Sequence, residues 1–309
     1  MKKVILSSII LLLAITSPAF SADKELYQHL QNVSVTVNSG LGEGSGVLIT
    51  RDVIVAPGKV EKINFVWTAA HVIDNLRSER RVVENGQTKR VIEFRDAKIV
   101  KEHIEDGRTV GESSMYAKVI KYSDSENGED LAILMVRKKG FVTDSVTFYA
   151  DDTSAPVGTE LYHVGSLLGQ VGSNSMTRGI LSQVGRVLDL GSGDGVVFDQ
   201  TTVTAFPGSS GGGVFLSERT PAKAGHYVGM LVRGAGETFN FIVPVRRMRT
   251  WAREQDVLWA IDTNSKVPTL KEILALPTET SSAKSTGGTK STITKDSARF
   301  PTLPKRTDK

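Results

Sequence analysis

From about Leu26 to Ala260 the chain is a succession of short β-type runs punctuated by glycine, with few helical stretches between them. Val33-Ser34-Val35-Thr36-Val37, Gly46-Val47-Leu48-Ile49, Ala117-Lys118-Val119-Ile120 and Tyr227-Val228-Gly229-Met230-Leu231-Val232 are representative. Period-two alternation bounded by turn residues favours antiparallel sheet. Repeated short strands without crossover helices point to barrels or a sandwich. Two stretches read as amphipathic helix, Val72 to Arg80 and Val245 to Gln255, the second closing the domain. The charged, glycine-containing region from Arg77 to Ser114 reads as surface strands and loops, with Glu84-Asn85-Gly86 as a hairpin turn. Its carboxylates lack a regular ligand spacing, so no metal site is assigned there.

The two ends differ from this body. Lys2 and Lys3 precede an apolar run from Val4 to Ile15, followed by Ser17-Pro18-Ala19-Phe20-Ser21-Ala22. That order predicts a signal peptide over residues 1–21, cut after Ser21. The run is too short for the roughly 20 residues a membrane-spanning helix needs. The expectation is export to the periplasm or beyond the cell, with no stable membrane insertion afterwards. The chain has no cysteine, so thiol catalysis and thiolate metal sites are excluded. From Ile261 to Lys309 the composition shifts to Ser, Thr and Lys, and disorder is expected there apart from a short helix at Leu270 to Leu276. The net charge of +4 owes much to Lys2, Lys3 and this tail, which leave the body slightly acidic. No basic face for nucleic acid is expected.

Three short motifs carry the chemistry. They are Thr68-Ala69-Ala70-His71, Asp130-Leu131-Ala132-Ile133-Leu134 and Gly208-Ser209-Ser210-Gly211-Gly212. A serine hydroxyl becomes a nucleophile when an imidazole takes its proton and a carboxylate orients that imidazole. His71 ends a strand-like Phe65-Val66-Trp67, and Asp130 leads into an apolar strand; Asp124 and Glu129 do not adjoin that run. Ser209 rivals Ser210, but the Gly-x-Ser-Gly-Gly spacing selects Ser210. Gly208 then lies two residues upstream, where its N–H and that of Ser210 can converge on one oxygen. His29, His103, His163 and His226 lack such context and read as structural or surface residues. Gly40-Leu41-Gly42-Glu43-Gly44-Ser45-Gly46 lacks the lysine and the strand-to-helix setting of a phosphate loop.

These motifs resemble those of trypsin-like serine proteases of the chymotrypsin fold, most of all the Deg/HtrA-type branch. Gly44-Ser45-Gly46-Val47-Leu48-Ile49 resembles that branch's opening strand. Trp67-Thr68-Ala69-Ala70-His71-Val72 and Asp130-Leu131-Ala132-Ile133-Leu134 resemble its histidine and aspartate motifs. Met176-Thr177-Arg178-Gly179-Ile180-Leu181-Ser182 and Phe239-Asn240-Phe241-Ile242-Val243-Pro244 match two later segments. The resemblance implies an all-β protease domain over residues 22–260, built of two six-stranded antiparallel β-barrels with a C-terminal helix. It places His71 and Asp130 in the first barrel, Ser210 in the second and the oxyanion hole at Gly208 and Ser210. It implies protein or peptide substrates and no cofactor or metal. Ser209 departs from the usual Asn or Asp, and no PDZ-like segment is legible after the protease region. Oligomeric state is not legible.

By the same alignment Thr204 lies near the floor of the primary pocket, Val232, Arg233 and Gly234 form a wall, and Phe239 or Phe241 narrows it. No acidic floor is present, so a small apolar residue before the scissile bond is expected; its rival is an acidic residue drawn by Arg233. The competing class is a protease-fold binding protein that is silent or latent in catalysis.

Overall fold

The computed structural model describes residues 18–279 apart from 85, 127–128, 190–194 and 235–236. Two closed six-stranded antiparallel barrels make up the molecule. The first runs through β1 (Ser34–Asn38), β2 (Glu43–Ala56) and β3 (Lys59–Thr68), with β6 (Ala97–Glu105), β7 (Arg108–Ser123) and β8 (Leu131–Val136), in the order β1-β2-β3-β8-β7-β6. A separate hairpin, β4 (Arg77–Glu84) and β5 (Gln87–Phe94), leaves it just after His71. The second barrel contains β9 (Glu160–Gly165), β10 (Ser175–Asp189), β11 (Gly195–Thr201), β12 (Gly213–Leu216), β13 (Tyr227–Gly234) and β14 (Asn240–Pro244), in the order β10-β11-β14-β13-β12-β9.

The all-β reading and both barrels agree with the sequence. β8 shows why: its six residues are all apolar and all buried, as a strand covered on both faces requires. Helices are few. α1 (Pro18–Asn32) places Leu30 in the core and sets Tyr27 edge-on against Tyr162 of β9. α2 (Ala70–Ile73) is a single turn carrying His71, and α3 (Val245–Glu254) closes the second barrel.

Two expectations are corrected. The helix read over Val72 to Arg80 ends at Ile73; Asp74–Leu76 form a 3-10 turn and Arg77 already pairs with Phe94 in β4–β5. A partner strand supplied by the Glu84-to-Gln87 turn outcompetes the weak helical periodicity. The segment from Ile261, expected to be disordered apart from a short helix at Leu270 to Leu276, is folded as far as Glu279. The expected helix is there as α4 (Leu270–Ala275), whose N-cap Thr269 forms a capping box with Glu272. Its end lies on the first barrel, with Thr278 accepting from Tyr122 N and Glu279 paired with Arg77. The rest of that expected tail, and residues 1–17 of the expected signal peptide, lie outside the described residues.

One apolar core joins the barrels. Trp67 of β3 packs edge-on against Phe148 and against Trp251 of α3, and its indole N–H donates to the Ala260 carbonyl at 2.7 Å. The same cluster contains Phe215, Tyr227 and Met230 from the second barrel.

Candidate active site

His71 and Asp130 meet at the edge of the first barrel. The Asp130 carboxylate lies 2.9 Å (Oδ2) and 3.1 Å (Oδ1) from His71 Nδ1, and Oδ1 also accepts from the His71 backbone N–H at 3.0 Å. The Asp130 carbonyl accepts from Ala70 N. Asp130 makes all these contacts from a left-handed backbone, φ +56°, which aspartate tolerates better than most residues. It is 3% exposed, whereas the imidazole keeps an edge open to the cleft. A carboxylate on Nδ1 fixes the tautomer with the proton there and leaves Nε2 as the base.

Burial opposes protonation of His71, and the Arg233 charge acts in the same direction. The hydrogen bond and charge of Asp130 outweigh them, helped by Asp74, so the proton affinity of the ring is raised above that of an ordinary imidazole. Asp74 itself is held by the Tyr122 hydroxyl at 2.6 Å, and burial pushes its carboxyl above the usual range.

Ser210 comes from the second barrel, half-buried. Its carbonyl accepts from Ser45 N at 2.7 Å, and Gly211 N donates to the Leu231 carbonyl, so the chain is tied on both sides of the nucleophile position. Gly44 makes the approach possible: a Cβ there would lie 2.5 Å from Val72, next to His71, and 3.0 Å from the Ser210 carbonyl. Among the described residues no hydrogen bond joins Ser210 Oγ to His71 Nε2, a contact that free enzymes often hold long and tighten with substrate.

The segment before Ser210 is fixed by its backbone geometry. Gly208 has φ +94°, and a Cβ on it would lie 2.2 Å from the Ser166 carbonyl, so only glycine fits. Ser209 N donates to the Phe206 carbonyl, while its hydroxyl accepts from Phe206 N. A serine thus closes this turn where the resembled branch has Asn or Asp. Among the described residues neither Gly208 N nor Ser210 N has a protein acceptor, which leaves two donors for an oxyanion.

The remaining candidate residues sit as follows. Thr204 is half-buried, and its carbonyl accepts from Thr177 Oγ1. Ala205 N donates to the Glu237 carbonyl, joining the Thr204 segment to the strand approach that carries Phe239. Phe239 is exposed, edge-on to Phe241 at 5.2 Å. Val232 is buried, Gly234 is exposed, and Arg233 turns its guanidinium to the Ser125 carbonyl of the first barrel. His163 is buried against Gly212, donor-paired only to the Gly213 carbonyl; burial lowers its pKa to about 4. His103 pairs with Ser113 at the surface.

Sequence reasoning missed the supporting shell. Ser45, fully buried, donates from Oγ to the Gly208 carbonyl and accepts from Ser166 N, both at 2.7 Å. Glu43 accepts from Gln170 N at 2.7 Å. Their position inside a glycine-rich run was visible; their partners, more than a hundred residues away, were not.

Comparison with known proteins agrees with this geometry. The family model for the trypsin-like peptidase domain matches residues 44–221. The Serine protease Do-like HtrB of Bacillus subtilis (strain 168) is 28% identical over 190 residues, covering 59% of this chain and 35% of that protein. The chain thus spans about a third of that relative's length. Among solved structures, Deg5 aligns with a TM-score of 0.52 at 20% identity, covering 80% of this chain and 99% of the other. The inactive form of the Rv3671c protease aligns at 0.51 and 17%, covering 77% and 95%. These two likenesses speak for the fold. The two barrels, the motifs at their junction and the family match over more than half of its length place the chain in the trypsin-like peptidase family.

Proposed function

We propose that the protein hydrolyses peptide bonds through Ser210, His71 and Asp130, with an acyl-enzyme intermediate. His71 Nε2 takes the Ser210 proton as Oγ attacks the scissile carbonyl, then delivers it to the leaving amine. Water, deprotonated by the same ring, then attacks the acyl carbon and returns Ser210. Gly208 N and Ser210 N bind the oxyanion in both halves. The observation that carries this reading is the buried Asp130 carboxylate gripping both His71 Nδ1 and the His71 backbone N–H. A side chain merely ending a turn has no need of that double hold. A fluorophosphonate should label Ser210 stoichiometrically, and Ser210→Ala should abolish labelling and lower kcat about a millionfold. An unlabelled, inert protein would favour the binding-protein reading instead.

The pocket reading rests on Thr204, Val232, Arg233, Gly234 and Phe239. Arg233 is engaged by the Ser125 carbonyl, which favours a small apolar residue before the scissile bond over an acidic one. Cleavage of a peptide library decides this; dominant cleavage after Asp or Glu, or after Lys or Arg, would reject it. Export rests on the sequence of residues 1–22. A cut after Ser21 falls within α1 and retains Leu26 and Leu30, which pack on the body. N-terminal sequencing of protein recovered outside the cytoplasm tests the cut. No helix among the described residues is long and apolar enough to cross a membrane.

A further inference from the structure

The oxyanion donor at Gly208 belongs to the Pro207–Gly208 peptide. In a planar trans peptide the carbonyl and the N–H point in opposite directions, so fixing one aims the other. The Pro207 carbonyl accepts from Leu168 N at 2.7 Å. That bond commits the Gly208 N–H to the opposite side, away from the Leu168 loop. A peptide turned over at this point would lose the Leu168 bond and direct the carbonyl where the oxyanion must sit.

Leu168 is an unlikely anchor by itself. It is largely exposed and has a left-handed backbone, φ +62°, and Gly169 follows at φ +73°. Glycine adopts this conformation freely, but a left-handed leucine is costly in a surface loop, and something must hold it. Glu43 does so. Its Oε2 accepts from Gln170 N at 2.7 Å and lies where a Gly169 side chain would be, 2.3 Å from that Cβ position. Its Oε1 accepts from Asn38 Nδ2 at 2.8 Å, so the carboxylate is fixed by the ends of β1 and β2. The next two residues, Gly44 and Ser45, touch the nucleophile loop directly. The mouth of β2 is therefore a continuous brace across the barrel junction.

We propose that Glu43 is a positioning residue for the oxyanion site, acting through Gln170 and Leu168 on the Pro207–Gly208 peptide. The inference rests on the endopeptidase reading. It is tested with Glu43→Ala and Glu43→Gln, the latter retaining an amide oxygen for Gln170 N. Kinetics on a peptide anilide, affinity for a peptide boronate that mimics the tetrahedral state, and amide exchange at residues 168–170 are measured together. Glu43→Ala should lower kcat and boronate affinity in parallel by about 10- to 100-fold, less than outright loss of a donor, with KM nearly unchanged. Exchange at 168–170 should quicken. Glu43→Gln should recover most of each. The acid limb of the pH profile should stay in place, because Asp130 and His71 are untouched. Unchanged kcat and boronate affinity in Glu43→Ala would overturn the proposal. So would a loss dominated by KM and thermal stability that Glu43→Gln fails to rescue, since that pattern marks structural support alone. A wild type that neither cleaves substrate nor reacts with a fluorophosphonate would overturn the endopeptidase reading, and this proposal with it.

Discussion

Asp130 concentrates several tasks in one buried side chain, and its consequences are measurable. Because Asp130 raises the proton affinity of His71, the acid limb of kcat/KM should have its midpoint above the free-imidazole value of about 6.5. Asp130→Asn should move that midpoint down and lower kcat by about 10⁴. A midpoint at or below 6.5 in the wild type would contradict the assigned pairing. His163 makes the opposite kind of statement. Its Nε2 is buried without a hydrogen-bond partner and its folded-state pKa is about 4. An unfolded chain takes up this proton near pH 6.5, so the unfolded state binds more protons between 6.5 and 4. Stability must fall as pH falls through that window, by about 3 kcal/mol at most from this residue. Urea unfolding across the window should show a steeper loss for the wild type than for His163→Gln. His71, with its raised value, works with the other sign and higher up. Its contribution is full below its unfolded value and is lost as pH rises through the folded one.

At the level of elements, what the sequence made legible was what is local. β8 was plain because every residue is apolar, and the β4–β5 hairpin was signalled by Glu84-Asn85-Gly86. The motifs around His71, Asp130 and Ser210 were legible because each sits at the end of an apolar strand or in a glycine turn. What escaped depends on distant partners. The segment 261–279 looked too polar to order itself, yet it need only place Ile261, Val267, Leu270, Ile273 and Leu276 on a surface already formed. Only the short helix within it was legible, and the Thr269-to-Glu272 capping box fixes where that helix starts. This segment should matter energetically. A chain ending at Asp262 should be less stable than one ending at Glu279 by at least ~2 kcal/mol, from the burial of Ile273 and its partly buried neighbours. Equal urea midpoints for the two chains would show that the packing of α4 contributes nothing.

At the scale of the molecule, the proposed activity makes a demand that neither barrel meets alone. His71 and Asp130 are fixed to one, Gly208 and Ser210 to the other, and alignment within a few tenths of an ångström requires the pair to behave as one body. Three of the ties that the structure supplies lie beside the candidate site. The β2 mouth reaches Gly208, Ser210 and Gln170; Arg247 of α3 pairs with Glu129 beside Asp130; and Arg233 of β13 holds the Ser125 carbonyl. Behind them the apolar cluster runs unbroken from Val35 and Trp67 to Phe215 and Trp251. Separating the barrels would expose that shared surface, so neither half should survive the loss of the other. Unfolding is therefore expected to be a single cooperative transition. Tryptophan emission reports the junction, since Trp67, Trp251 and Trp259 all lie there, while far-ultraviolet circular dichroism reports strand content everywhere. Denaturant curves from the two probes should superimpose. A tryptophan transition that clearly precedes the loss of strand signal would mean that the barrels part before they melt, and that the ties across the cleft are weaker than their geometry requires.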